Sequence, residues 1–451
     1  MVKLIGMLSR FNSSKVLVIG DFMLDTYTTG KVRRISPEAP VSVLHVKKQE
    51  SLPGGAGNVA LNLVSLGAEV IAVGRVGADD AGEQLINCLE KEGVDVRALF
   101  TEKNFKTPVK NRFIADSQQV LRVDFEDVAP ITEELEQVVI KRITSLMDDV
   151  QVVAISDYGK GFLSRTLLTA TIQIAKMKSI PVIVDPKGDD FSKYLSATVL
   201  KPNLSEAYAA AKLPSHAPLD QVAKVLLESC NAKMLLVTRS EVGMSLFYKD
   251  GSSFDFPVRV KEVKDVTGAG DTVLSMICVT IANGIDIKYG AQLANIAAGI
   301  AIERLGCARI NLSELSVRLL EYDVDNKVFD EEHLFALQQA LRGKEYCVLG
   351  LDSSHGMSTA LFKHIRTLSQ ENLERKLIVY VRDSDPDEEF VSLLSSLAEV
   401  DFIVLKCESL KNLCEIIHPD ELFVLDKERL IELNHTEDLL SRSQVDFSTI
   451  S

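Results

Sequence analysis

The sequence has little with which to build a disulfide framework, a metal centre or a membrane anchor. Its seven cysteines, at positions 88, 230, 278, 307, 347, 407 and 414, are odd in number and form no CxxC pair. They lie mostly in apolar runs, so buried free thiols are expected rather than disulfides or zinc ligands. The seven histidines show no metal-ligand spacing. No window approaches the roughly 18 consecutive apolar residues of a membrane span. The first residues, MVKLIGMLSRFNSSK, lack the apolar core and small-residue cleavage site of a secretory signal. The expected compartment is the cytoplasm. An excess of basic charge is lacking too. The net charge is -14, and residues 327 to 451 carry 13 Lys and Arg against 24 Asp and Glu. Neither nucleic acid nor an anionic membrane is an expected partner of so acidic a surface.

What is present is the make-up of a globular protein, with 46% hydrophobic and 25% charged residues and no repeats or biased tracts. A chain of 451 residues suggests a large domain and a small one. From about Lys15 to Ile310, short β-branched runs (KVLVIG, VIAVGRVG, VQVVAIS, PVIVDPK, MLLVTRS) alternate with longer segments of helical spacing. That rhythm predicts an α/β fold with a parallel sheet and crossover helices on both faces. The strands end in small or polar residues such as Gly20-Asp21, Ser156-Asp157 and Asp185-Pro186, which places a ligand site along their carboxyl edge. Two β-rich excursions, Tyr27 to Val46 and Lys106 to Phe125, interrupt the alternation and read as a small β lid. The rhythm pauses near residue 326, and a second, smaller Rossmann-like α/β domain is expected over 327 to 451, with a frayed polar tail from about 434.

The stretch KDVTGAGDTVLSMI (264–277) puts Gly268, Ala269 and Gly270 before a lone acid, Asp271, and an apolar helix. Backbone N–H groups free of side chains, at the positive end of a helix, form an anion cradle. Catalysis of phosphoryl transfer is largely stabilisation of charge on the moving group, and a carboxylate beside it can take the proton of an attacking hydroxyl. Alone, the same residues are equally a tight turn followed by a helix-terminal charge.

In context the string resembles the second signature of the ribokinase-like (PfkB) sugar kinases, a resemblance that runs from about residue 15 to 310. It implies a three-layer α/β/α kinase with ATP and Mg2+. Gly268, Ala269, Gly270 and Asp271 become the catalytic set. Lys201-Pro202-Asn203-Leu204-Ser205-Glu206 matches the family's Asn-x-x-Glu element, so Asn203 to Glu206 would order the phosphates and, from Glu206 through water, the metal; a plain helix cap remains the alternative. Thr238, Arg239 and Gly243 resemble the stretch beside the ATP phosphates, although Arg239 stands where the family often has a small residue. Pro53 to Asn58 resembles the sugar-binding signature, with Gly54 and Gly55 letting a sugar approach the backbone and Asn58, Asp21 and Asp25 binding hydroxyls.

Four further stretches, 20–25, 34–41, 156–161 and 185–188, look like the heptose-phosphate kinases within this family. That likeness implies phosphorylation of D-glycero-β-D-manno-heptose 7-phosphate at its anomeric oxygen. A sugar phosphate needs cations at the far end of its pocket, and Arg112, Arg122, Lys160 and Lys187 are the candidates. Arg34 and Glu38 to Val41 fall in the lid, through which a homodimer is expected. In two-domain members of the group the carboxyl half is a nucleotidyltransferase with an Asp followed by His-x-Gly-His. Here Asp352 and His355 align, but Met357 and Ser358 replace the glycine and the second histidine, which implies a degenerate transferase. A kinase for another sugar, and a bifunctional kinase and adenylyltransferase, remain the alternatives.

Overall fold

The structure is a computed structural model. It describes all residues but 1–3, 117, 259–262, 305, 323–326, 331–332, 373, 384, 406, 408, 427 and 434–451. The boundary expected at 326 and the tail expected from 434 fall outside the described residues. The chain forms two compact units, Phe11–Asn311 and a second made of Met1–Arg10 with Leu312–Ser451. The helix Leu312–Tyr322 groups with the smaller unit, as do residues 4–10.

The strands of the larger unit are β1 (Lys15–Gly20), β2 (Phe22–Ile35), β3 (Ser42–Gly55), β4 (Glu69–Gly77), β5 (Asp95–Glu102), β6 (Val109–Ala115), β7 (Gln118–Phe125), β8 (Val152–Ser156), β9 (Val182–Asp185), β10 (Val199–Leu200), β11 (Met234–Thr238), β12 (Met244–Tyr248) and β13 (Ser253–Phe256). Nine form one sheet in the order β13-β12-β11-β10-β9-β8-β1-β4-β5. All neighbours from β11 to β5 are parallel, while β12 and β13 add an antiparallel edge that the sequence rhythm did not reveal. From β1 the chain runs outward through β4 and β5, then returns to β8 and runs the other way. The reversal between β1 and β8 is a switch point, where an open parallel sheet leaves a crevice at its carboxyl edge.

The helices are α1 (Ala56–Ser65), α2 (Asp80–Lys91), α3 (Glu133–Leu146), α4 (Arg165–Met177), α5 (Leu204–Ala211), α6 (Leu219–Ser229), α7 (Ala269–Ala282) and α8 (Ile287–Ile302). One core joins Leu17, Ile19, Val153, Ile155 and Val184 of the sheet to Val139, Ile143, Leu168, Ile172, Val222 and Leu226 of α3, α4 and α6. Helix α7 is buried from Asp271 to Thr280, as its unbroken apolar run requires.

Helix starts fall into two kinds. Asp79, Thr132, Ser164, Asn203 and Asp286 cap α2, α3, α4, α5 and α8 with their side chains. Helix α6 starts at Pro218, and α1 and α7 start at Gly55 and Gly268, with no side-chain cap; the last two are led by glycine. The two glycine-led starts are the turns singled out in the sequence, and their first N–H groups are not taken by a capping side chain.

Strands β3-β2-β6-β7 make a separate four-stranded sheet. Two antiparallel hairpins are joined by parallel pairing of β2 with β6. The lid is larger than the sequence suggested, because β2 and β3 run 14 residues each and reach down to Asp21 and Gly55.

The smaller unit has helices α9 (Leu312–Tyr322), α10 (Leu334–Leu341), α11 (Thr359–Glu371), α12 (Glu388–Ser396) and α13 (Leu410–Ile417). Strands β14 (Val328–Phe329), β15 (Tyr346–Leu351), β16 (Lys376–Val381), β17 (Phe402–Val404), β18 (Glu421–Asp426) and β19 (Arg429–Leu433) form a sheet ordered β14-β17-β16-β15-β18-β19. Only the β18–β19 edge is antiparallel.

Candidate active site

The carboxyl ends of four parallel strands converge on the start of α7. Asp21 follows β1, Asp157 and Tyr158 follow β8, Asp185 ends β9, and Lys201 follows β10. Asp271, in the first turn of α7, is 3% exposed and is gripped on both oxygens. Asn58 Nδ2 donates to Oδ2 and Tyr158 Oη donates to Oδ1, each at 2.7 Å. Burial pushes the Asp271 carboxyl up to about 7, aided by the nearby Asp185 charge, while the Asn58 and Tyr158 donors and Lys201 restrain the rise. A carboxylate poised there can accept a proton at neutral pH and release it again.

Gly268 has φ 78°, a left-handed conformation that glycine adopts at low cost. A side chain there would also collide with Asn58, whose Nδ2 lies 2.7 Å from the position of a Cβ. The Ala269 N–H points back to the Val266 carbonyl at 3.3 Å, so the cradle is narrower than the three N–H groups expected. A buried cation supplements it. Lys201, 3% exposed, pairs with Asp185 at 3.0 Å, and its Nζ lies 3.5 Å from where a Gly270 Cβ would be. Lys201 and Tyr158 were given no role from the sequence, and Asp185 only a place on the ligand-binding edge. All three lie at strand ends, and that position was the signal that could have found them.

The expected sugar-side residues take more specific places than the sequence implied. Asp21, 3% exposed, accepts the N–H groups of Tyr158 at 2.9 Å and Lys160 at 3.0 Å through Oδ2. It thus holds the loop that carries Tyr158. Asp25, 4% exposed, pairs with Arg112 through Oδ1 and takes the Cys307 thiol at 3.5 Å through Oδ2. Gly54 makes room for that pair, because a Cβ on it would lie 2.1 Å from Asp25 Oδ2. Gly55, at the start of α1, would bring a Cβ within 2.6 Å of the Asp21 carbonyl. Asn58 has its amide nitrogen on Asp271 and its Oδ1 on Asn62.

Of the four expected phosphate-binding cations, each has its own carboxylate. Arg112 has Asp25, Arg122 has Asp124, Lys160 has Glu126 at 2.5 Å, and Lys187 has Glu206 at 2.8 Å. The structure does not bring Arg122 into the site; its side chain is 52% exposed and bonds along its own strand. Lys187 lies beside the Asn203–Glu206 turn, away from the expected far end of a sugar pocket.

Asn203 and Glu206 form a complete capping box on α5, with Glu206 N–H donating to Asn203 Oδ1 at 2.9 Å and Asn203 N–H donating to Glu206 Oε2 at 3.1 Å. Leu204 is the first residue of α5, and the Ser205 hydroxyl donates to Asn203 Oδ1. A bridge between Asn203 and Thr238 aligns this turn with the end of β11. Arg239 turns toward the β12–β13 edge, bonding Ser245 at 2.8 Å and Asp255 at 3.1 Å, and Gly243 closes the turn after it at φ 101°.

In the smaller unit, Asp352 at the end of β15 pairs with Arg382, and Asp383 accepts the Ser353 N–H. Ser358 caps α11 through the Leu361 N–H at 3.1 Å. Met357 is partly buried against the core of the sheet. The His355 side chain lies outside the described residues.

A proton-accepting carboxylate against a glycine-led helix terminus, beneath a β lid at the switch point of a parallel sheet, is the arrangement of a kinase that phosphorylates a hydroxyl. The chain belongs to the pfkB family of carbohydrate kinases, whose profile matches residues 13–314, and it is a sugar kinase. It is 38% identical over 413 residues to the bifunctional protein HldE of Pelobacter propionicus, covering 88% of this chain and 85% of that one. It is 41% identical over 343 residues to HldE of Trichlorobacter lovleyi, covering 75% and 70%. Among solved structures it is similar to phosphofructokinase-2 from Escherichia coli in complex with substrates and products, with a TM-score of 0.57 at 19% identity, covering 69% of this chain and 100% of that one. It is also similar to Arabidopsis thaliana ribokinase complexed with ribose and ATP, with a TM-score of 0.54 at 18% identity, covering 68% and 99%. These likenesses establish the ribokinase-like fold. Among the described residues no helix is long and apolar enough to cross a membrane.

Proposed function

We propose that this kinase transfers the γ-phosphoryl group of ATP to the anomeric oxygen of D-glycero-β-D-manno-heptose 7-phosphate, giving the 1,7-bisphosphate on the route to ADP-heptose and the lipopolysaccharide core. The single observation that carries the chemistry is the grip on Asp271. Held between Asn58 and Tyr158, it takes the proton of the attacking hydroxyl. The N–H groups at the start of α7 and the Lys201 ammonium stabilise charge on the phosphoryl group in flight. The heptose assignment rests on the stretches 20–25, 34–41, 156–161 and 185–188 and on the relatives at 38% and 41% identity.

Asn203 and Glu206 fit Mg2+ held through water. Among the described residues no cluster of His, Cys, Asp and Glu could hold a metal directly, and the Glu206 carboxylate, 15% exposed, faces the Lys187 ammonium at the strand-end crevice. When bound, the ion would offset phosphate charge. Glu206 and Asn203 orient its water shell, while Thr238 and Gly243 line the nucleotide side.

The smaller unit is a nucleotidyltransferase-type fold without adenylyl transfer. The capping of α11 by Ser358 and the neutralisation of Asp352 by Arg382 support this reading. The lid is the dimer surface. Ile35, Val41 and Val46 on and beside β2 and β3, and Val120, Leu121 and Phe125 on β7, are each more than half exposed, apolar side chains of the kind that a partner would cover.

The test is ATP consumption by the full chain with heptose 7-phosphate, fructose 6-phosphate and ribose, with product analysis for ADP-heptose from heptose 1-phosphate. The expected outcome is turnover of heptose 7-phosphate above the other sugars and no adenylyl transfer. Preference for another sugar overturns the substrate, and adenylyl transfer overturns the reading of the smaller unit.

A further inference from the structure

Near Tyr158 one cation stands apart from the paired ones. Lys110, on β6, pairs in register with Asp25 on β2 and Asp124 on β7. All three therefore share one face of the lid sheet with Arg112, two residues on. Its ammonium lies 5.5 Å from the centre of the Tyr158 ring, whose hydroxyl holds Asp271. Among the described residues Lys110 makes no ion pair. Burial pulls its pKa down and the Lys160 charge pulls it further, while the nearby Asp25, Glu126 and Asp124 carboxylates restrain the fall. Lys160 reaches the same region from the loop after β8, paired with Glu126 at 2.5 Å. Glu126 follows the last residue of β7, where the lid returns to the main sheet. Its other oxygen, Oε2, is buried and has no hydrogen-bond partner, an arrangement a protein does not keep without reason.

We propose that Lys110 and Lys160 form the subsite for the anionic group already carried by the sugar, and that Glu126 is the internal counter-ion that this group displaces from Lys160. The inference rests on the sugar-phosphate reading above. Four cations on this side of the lid, Lys110, Arg112, Arg122 and Lys160, meet three carboxylates, Asp25, Asp124 and Glu126, one negative charge short, and a phosphate dianion supplies it with charge-assisted hydrogen bonds. The Tyr158 ring lies between Lys110 and the base, so an anion on Lys110 would lie at the opposite end of the sugar from the reacting hydroxyl. Arg112, Arg122 and Lys187 are already matched to Asp25, Asp124 and Glu206. Release of Glu126 would free the root of the lid and relieve its unmet oxygen.

The experiment compares the full wild-type chain with K110M, K110R and E126Q on heptose 7-phosphate and on the same heptose without phosphate. It also measures competition by inorganic phosphate. Expected is a fall of at least about tenfold in the ratio of kcat/KM for phosphorylated over unphosphorylated sugar in K110M, carried by KM. K110R should recover most of the loss, and E126Q should lower KM for the phosphorylated sugar and strengthen phosphate competition. Equal loss on both sugars in K110M, or weaker phosphate competition in E126Q, overturns the subsite. If the wild type ignores heptose 7-phosphate, the substrate reading fails separately. The subsite is then judged on inorganic phosphate, whose competition must weaken in K110M and strengthen in E126Q; no change in either overturns it.

Discussion

The two units use the same device, a parallel sheet whose strands end at helix starts, and they treat it in opposite ways. In the larger unit α7 begins at a glycine with no capping side chain, and Asp271 beside it is buried with its pKa pushed up to about 7. In the smaller unit α10 starts at His333 without a side-chain cap, but the helix start after β15, where the corresponding chemistry was expected, is capped by Ser358, α12 by Asp387 and α13 by Ser409, and Asp352 is matched by Arg382. An anion site at a helix start depends on donors left without a protein partner. The fold provides the edge in both units. Whether that edge can do chemistry depends on what the chain leaves unsatisfied there.

The largest expected break in this comparison is Asp271→Asn. Nucleotide binding should persist while kcat falls by about 10²–10⁴-fold, the usual contribution of a general base; near-normal turnover would remove Asp271 from that role. Gly54→Ala comes next. Its Cβ would press on Asp25 Oδ2 at 2.1 Å, so the Asp25–Arg112 pair must separate, with a loss of about 3–5 kcal/mol, typical of a broken buried pair. Thermal unfolding of the variant measures this, and an unchanged Tm would show that the pair can shift without cost.

A smaller effect sharpens the electrostatics. Asp271 must be ionised to accept a proton, so kcat/KM should fall as pH drops below about 7. Tyr158 donates to the ionised form and lowers the Asp271 pKa. In Tyr158→Phe the acid limb should therefore move up by about one pH unit, with activity returning at higher pH. A lower plateau with an unmoved limb would mean that Tyr158 only shapes the pocket. The groups facing this carboxylate are Asn58, Tyr158, Asp185, Lys201 and Cys307. Smallest is Ser358→Ala, which should cost the smaller unit about 1 kcal/mol as a lost helix cap and leave sugar phosphorylation unchanged. A comparable loss of kinase activity would show that the two units are coupled.

Much of the site was legible because it is local. The glycines, Asp271 and the Asn203–Glu206 turn each lie within a few residues and carry their geometry in their spacing. The cations were misread for the opposite reason. Whether Arg112 or Lys160 is free to meet a ligand depends on carboxylates brought up from 87 and 34 positions away, Asp25 and Glu126. Asn58 was read as a sugar ligand, yet its partner Asp271 is 213 positions away. That α9 groups with the smaller unit was not legible, because it continues the helical pattern without a sequence break.

The sequence by itself determined the α/β rhythm, the lid and the glycine-led acid, since hydrophobic period and backbone freedom are properties of neighbouring residues. Only the tertiary structure decided that Asn58 and Tyr158 hold the base, that Lys201 backs the cradle and that Arg112 and Lys160 meet Asp25 and Glu126. Charge pairing and burial are fixed by distances between strands that meet only when the chain has folded.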